Sequence, residues 1–262
     1  MIEALLYLTT GVFAGLASGL LGVGGGLIIV PVLYFVFSAQ NLPHEHIMHM
    51  ALATSLATII ITSLSSTRAH HKKQAVLWPI FLLLVPGIGM GAWLGGITAS
   101  KIETELLKPA FGIFELFVAL HLLWNRQSQI HSVSLGKIKS VTGGFVIGMA
   151  SAIVGIGGGT LTVPFLHWHN IAIRNAVATS AACGFPIAVF GAASYIYAGW
   201  SIELAPEYML GYVHLPAFLF IITTSFLFAP VGAKLAHRLP ENTLRKGFAV
   251  FLLLIGLKMI FF

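Results

Sequence analysis

This sequence contains no aspartate. Its eight acids are all glutamate, set against fourteen Lys plus Arg, and charged residues make up only 8% of 262 positions. A soluble domain carries about a quarter charged residues, so a fully water-facing surface cannot be built from this chain. Cysteine is equally scarce. Cys183 alone excludes an intramolecular disulfide and any cysteine-based zinc or iron–sulfur framework. Nucleotide motifs are missing too: no Lys follows the glycine runs at Walker spacing, and G-x-G-x-x-G is not completed after Gly22 or Gly155. The histidines do not supply a metalloprotease motif. In His44-Glu45-His46 with His49, Met48 stands where H-E-x-x-H requires its second His, and His167-x-His169 lacks further ligands nearby. No metal, cofactor or catalytic group is therefore expected.

What the chain does have is apolar length. Hydrophobic residues make up 57%, and mean hydropathy is +0.93. The solvent for most of it is the lipid bilayer. The N-terminus, Met1-Ile2-Glu3-Ala4, lacks the positive region of a cleavable signal, so its apolar stretch is expected to remain as the first membrane segment. The isoelectric point near 9.6 does not indicate nucleic acid, because the basic residues sit in short clusters between apolar runs, as topology signals do.

The chain also repeats itself. Gly11–Pro31 and Gly144–Pro164 align at an offset of 133 with ten of 21 positions identical, among them Gly22, Gly24, Gly25, Gly26 and Pro31. Further on, Ala53-Thr54-Ser55 pairs with Ala178-Thr179-Ser180, and Leu107–Phe111 with Leu244–Phe248. This gives one transmembrane domain built of two copies, 1–125 and 138–262, around a polar linker at 126–137. Each copy reads as five hydrophobic segments: 4–21, 27–38, 47–66, 76–98 and 107–124, then 139–155, 160–169, 173–198, 210–236 and 243–262. A full span needs about 20 residues. The second segment of each copy is too short to cross alone and reads as a half-helix joined to its predecessor through glycine.

Lys and Arg set the sidedness. Arg68, Lys72 and Lys73, the linker's Arg126, Lys137 and Lys139, Lys234, Arg238, Arg245 and Lys246, and Arg174 are assigned inside. The loops carrying Glu45 and Glu203/Glu207 hold no Lys or Arg and fall outside, whereas the Ala99–Lys108 loop, with two lysines against two glutamates, gives no vote. Equivalent loops of the two copies then lie on opposite sides, so the repeats are inverted. The expected fold is an all-α polytopic membrane protein of two inverted repeats with glycine-broken half-helices at mid-membrane.

Irregular backbone at membrane depth survives only inside protein or beside a water-filled cavity. The breaks at Gly22–Gly26 and Gly155–Gly159, reinforced by Pro31 and Pro164, would present free N–H groups and positive dipole ends from two half-helices, which suits an anion. Gly24, Gly25, Gly26, Gly157, Gly158 and Gly159 are the candidate binding backbone, with the hydroxyls of Thr160, Thr54, Ser55, Thr179 and Ser180 as donors. The small-xxx-small runs Gly11/Gly15/Gly19 and Gly144/Gly148 read instead as helix packing. Glu115, the one acid placed in the membrane core, is a candidate for proton coupling. His70-His71 beside Lys72-Lys73 reads as a cytoplasmic charge cluster.

The paired G-xxx-G-xxx-(G/A)-xx-GxGGG-xxxx-P blocks, the A-T-S triplets, His70–Val76, and the run from Gly211-Tyr212-Val213 to Leu235-Ala236-His237-Arg238-Leu239-Pro240 resemble the TauE/SafE family, the sulfite exporters. The resemblance covers nearly the whole chain. It implies a bacterial or archaeal cytoplasmic-membrane permease for sulfite, organosulfonates or related small sulfur-containing anions. The function expected is secondary transport by alternating access, one repeat-derived bundle rocking against the other around the two breaks. A passive anion channel of the same fold and a membrane-embedded enzyme stay open as alternatives, as does a homodimer.

Overall fold

The computed structural model describes residues 2–22, 24–40, 42–123, 136–202, 208–235 and 241–261. Residues 126–135 of the linker, Glu203, Glu207 and Arg238 lie outside the described residues. In chain order the helices are α1 (Ile2–Leu21), α2 (Gly26–Ala39), α3 (Ile47–His71), α4 (Trp78–Ala99), α5 (Thr104–Leu123), α6 (Lys137–Val154), α7 (Gly159–Trp168), α8 (Ile173–Gly199), α9 (Leu215–Leu235) and α10 (Glu241–Phe261). A single 3₁₀ turn, His44–His46, precedes α3, and a two-residue hairpin, β1 (Met209–Leu210) with β2 (Val213–His214), leads into α9. Seven of the described helices are long and apolar enough to cross a membrane: α1, α3, α4, α5, α6, α8 and α9. The protein is a polytopic all-α membrane protein. At 1.5 Å per residue, α2 with 14 residues and α7 with 10 fall short of a hydrocarbon core about 30 Å thick.

Burial separates the helices by role. Within their apolar windows 83% of α3 and 72% of α8 is buried, whereas α1, α4, α5, α6 and α9 are mostly open, with Leu82, Ile113, Phe117, Val146 and Leu227 among the large apolar side chains on the outside. A core pair is thus jacketed by helices whose outer faces are as apolar as their inner ones, the signature of an element solvated by lipid. Both core helices are rich in small residues, so their tight fit depends on Ala, Ser and Gly more than on large side chains.

The two copies are interleaved. α1 packs along α9 and α4 along α6, so each copy's first helix lies against the other copy's fourth. The glycine ladders make these contacts. A Cβ on Gly15 would stand 2.6 Å from the Ser225 carbonyl of α9; one on Gly144 would stand 2.6 Å from the Leu84 carbonyl of α4. Gly11 and Gly19 meet Ile221 and Ala229 in the same way, and Gly148 meets Ile88. Two groups result, α1–α2–α3 with α9 and α6–α7–α8 with α4, and they touch chiefly where α3 meets α8. α5 and α10 form a further pair.

Candidate functional site

The two glycine turns lie against each other at the α3–α8 contact. A Cβ on Gly24 would stand 3.0 Å from Gly157 Cα, and one on Gly26 would stand 2.6 Å from the Gly155 carbonyl oxygen and 2.8 Å from Ile156 Cα. Only bare backbone can approach this closely. The core helices hold the turns from either side in matching fashion. Gly22 lies against Val177 and Ser180 of α8, and Gly155 against Leu52 of α3. The sequence-predicted glycines Gly22, Gly24, Gly26, Gly155 and Gly157 are therefore assembled in one place. Gly25 sits behind them, with the point of its absent Cβ 2.8 Å from the Ala14 carbonyl.

The turns are not built alike. Gly24 and Gly25 have φ of +80° and +83°, a left-handed pair in which side chains are strained, and Gly25 caps α2 from that conformation. In the second turn only Gly155 is left-handed, at +69°, and Gly158 caps α7 with an ordinary φ of −61°. Pro31 and Pro164 lie inside α2 and α7 rather than at their ends, far enough from the first turn that the break itself comes from glycine.

The paired hydroxyls divide into two kinds. Thr54 Oγ1 accepts the backbone N–H of His214 at 2.9 Å, and Thr179 Oγ1 accepts that of Leu77 at 3.0 Å. His214 and Leu77 stand immediately before α9 and α4, so each threonine pins the fourth helix of the other copy onto its own core helix. His214 Nδ1 in turn accepts the Ala217 N–H at 3.2 Å in the first turn of α9. Ser55 and Ser180 instead face the glycine turns. Ser55 Oγ donates to the Gly155 carbonyl at 2.8 Å, linking α3 to the second turn. Ser180 Oγ donates to Val177 O in its own helix at 2.8 Å and lies beside Gly22.

Sequence reasoning missed several groups here. Ser63 and the Gly158 backbone nitrogen flank Gly184 of α8, at 3.4 Å (Ser63 Cβ) and 3.8 Å from the point where its Cβ would stand. Thr162 Oγ1 lies 2.9 Å from the equivalent point on Gly158. Ser151 and Thr162, like the sequence-predicted Thr160, each hold a buried hydroxyl oxygen without a hydrogen-bond partner. Thr162 and Ser63 escape a search for duplicated residues because their counterparts are Ile29 and Ala188; the signal was the alternation of Thr160 and Thr162 straight after the glycines.

Other predicted residues lie elsewhere. Glu115 is fully buried on α5, with both carboxylate oxygens unpartnered, at the crossing where a Cβ on Gly256 of α10 would stand 3.2 Å from Glu115 Cβ. His46 and His49 pack on Tyr212, with ring centroids 5.6 Å and 5.1 Å away, and His49 Nε2 bonds the Ile102 carbonyl at 2.9 Å. Among the described residues no three His, Cys, Asp or Glu side chains come close enough to share a metal ion. None of the Lys or Arg side chains described is buried, so the glycine turns are surrounded by neutral groups.

Comparison with known proteins gives this arrangement a context. The family model described as "Sulfite exporter TauE/SafE" matches residues 7–259. A probable membrane transporter protein of Haemophilus influenzae is 40% identical, with 97% of each chain covered. The probable membrane transporter protein YunE of Bacillus subtilis is 27% identical over 96% of this chain and 95% of its own. A probable membrane transporter protein of Methanocaldococcus jannaschii, MJ0441, is 26% identical over 97% and 94%. No solved structure matches the chain.

Proposed function

Because this chain belongs to the TauE/SafE family of membrane transporters, we propose that it is a secondary transporter for small sulfur-containing oxyanions such as sulfite or organosulfonates, working in a bacterial or archaeal cytoplasmic membrane. The observation that carries the proposal is the meeting of the two glycine turns, Gly24 on Gly157 and Gly26 on Gly155, between the most buried helices of the molecule. Two short helices begin there. The first N–H groups of a helix have no intrahelical acceptor and form its positive end, so an anion in that place is stabilised without a basic side chain. The candidate substrate backbone is Gly24–Gly26 and Gly157–Gly159, with Thr160, Ser55 and Ser180 alongside, and Thr54 and Thr179 acting one layer further out.

The inverted repeat proposed from the loop charges supplies a mechanism, alternating access. The interleaving sharpens what would move. The rocking units are α1–α2–α3 with α9 and α6–α7–α8 with α4, each three helices of one copy plus one of the other, and they rock across the α3–α8 contact where the turns meet. Thr54 and Thr179 hold the exchanged helices to their groups during the motion. Glu115, a buried carboxyl outside both groups, is proposed to carry the coupling proton. The relatives' names fit transport rather than catalysis.

Purified protein in liposomes tests the reading. Saturable counterflow of labelled sulfite or an alkanesulfonate is the expected result. Current proportional to voltage and without saturation would establish a channel instead, and product formation an enzyme.

A further inference from the structure

Hydroxyls buried in helices commonly hand their proton to the carbonyl three or four residues back, or to a carbonyl of a neighbouring element as Ser55 and Ser65 do. The buried Thr10, Thr58, Thr62, Ser63, Ser140 and Ser194 do the former in this protein. Among the described residues only four hydroxyl oxygens are buried with no partner at all: Thr67, Ser151, Thr160 and Thr162. Three of these four border the second glycine turn. Ser151 is in the last turn of α6, and Thr160 and Thr162 are in the first turn of α7. The residues three and four back from Thr160 fall in the turn, those behind Thr162 are Gly158 and Gly159 at the very start of α7, and neither hydroxyl bonds a carbonyl there. Thr162 and Ser151 have no exposure at all, and a buried hydroxyl that donates to nothing is costly.

The corresponding start of α2 is different. Leu27 and Ile29 stand where α7 has Thr160 and Thr162, and both are completely buried among apolar neighbours. Its turn is closed by a left-handed glycine pair, and Gly25 is backed by Ala14.

Building on the transporter reading above, we infer that the substrate oxyanion is held on one side only, by the first turn of α7, and that this cradle takes singly charged oxyanions in preference to dianions. The donors are the hydroxyls of Thr160, Thr162 and Ser151 together with the leading N–H groups of α7, while the α2 turn serves as the wall against which they close. The charge preference follows from what is missing. Moving an ion out of water costs an amount that rises with the square of its charge, and an ionised group is normally compensated by an opposite one. Here no described Lys or Arg is buried, so hydroxyls and peptide dipoles must compensate alone. They can offset one charge far more readily than two.

The experiment measures half-saturation for methanesulfonate counterflow in liposomes, and its competition by sulfate, for wild-type protein and four variants checked for intact insertion. Thr160→Val/Thr162→Val keeps shape and removes both hydroxyls; its half-saturation should rise at least tenfold. Thr162→Ser keeps a hydroxyl and should stay within twofold of wild type, which separates loss of a donor from loss of packing. Leu27→Val and Ile29→Val, the matched changes in α2, should also stay within twofold. Sulfate should compete at least tenfold more weakly than unlabelled methanesulfonate. The inference is overturned if the double valine variant binds like wild type, if the α2 variants weaken binding as much as it does, or if sulfate competes equally. Wild-type protein that carries neither methanesulfonate nor sulfite overturns the transporter reading itself, and the cradle with it.

Discussion

The two glycine turns share Gly-x-Gly-Gly-Gly and a proline five residues on, yet they are put to different use. The first, at Gly22–Gly26, bends through three left-handed glycines, Gly22, Gly24 and Gly25, and leads into a helix whose opening residues, Leu27 to Val30, are sealed in the core. The second, at Gly155–Gly159, bends at Gly155 and leads into a helix that opens with two threonines, less tightly covered, with hydroxyl oxygens left unpaired. Identical glycine spacing thus places the two turns, and the residues that follow decide which groups line them. Hydroxyl chemistry is distributed the opposite way on the core helices. α3 carries Thr58, Thr62, Ser63 and Ser66, whereas the matching positions of α8 are Cys183, Ile187, Ala188 and Gly191. Those α3 hydroxyls are spent on carbonyls of their own helix, Thr58, Thr62 and Ser63, or between helices, Thr62 also meeting Ser225 at 3.1 Å and Ser66 reaching toward Ser18 O at 3.5 Å.

The largest expected effect comes from filling either turn. Gly25→Val and Gly158→Val should both abolish uptake in correctly inserted protein, and wild-type rates in either would remove the turns from the mechanism. Alanine at the same positions should split the pair. At Gly25 it must take a left-handed φ, at a cost of about 1–2 kcal/mol, and its Cβ would also press on the Ala14 carbonyl. Gly158→Ala meets no such backbone strain and touches the Thr162 hydroxyl instead. Gly25→Ala is therefore expected to lower thermal stability in detergent more than Gly158→Ala, and Gly158→Ala to weaken substrate binding more than stability. Equal effects on both readouts would erase the distinction between the turns.

A smaller effect tests the likeness rather than the difference. Thr54→Val and Thr179→Val each leave one N–H without its acceptor, that of His214 or Leu77, and should cost about 1 kcal/mol apiece. Matched losses in unfolding measurements support equivalent staples; a loss at one position alone would show that the exchanged helices are held differently. Smaller still in stability is Glu115→Gln, which preserves shape and replaces a carboxyl that makes no hydrogen bond. It is expected to flatten the pH dependence of uptake, and an unaltered profile would dismiss proton coupling at this residue.

Much of the arrangement could be read before any coordinates. The five segments of each copy correspond to α1–α5 and α6–α10, because hydropathy over a span and glycine at its interruption are local properties of the chain. The packing role of Gly11, Gly15, Gly144 and Gly148 was legible for the same reason, since small residues one turn apart can only serve close approach. Their partners were not. Nothing in the spacing of Gly15 names Ser225, and the exchange of fourth helices between copies emerges only when the chain closes on itself. Duplication singled out Ser55 and Ser180, which lie beside the turns, together with Thr54 and Thr179, one residue away and turned toward α9 and α4. A rotation of about 100° per helical residue separates these neighbours, and sequence pairing is blind to it.

Sequence alone determined that this chain lives in lipid and that it carries two matched glycine blocks 133 residues apart, since water, hydrocarbon and glycine act on each stretch independently of the rest. Tertiary structure alone decided that the two glycine turns touch, that α1 packs on α9 and α4 on α6, and that among the described residues the hydroxyls left unpaired beside a turn are those of the second. Those outcomes depend on which surfaces fit together across more than a hundred residues of chain, and on which hydrogen-bond donors remain unclaimed once every neighbour is in place.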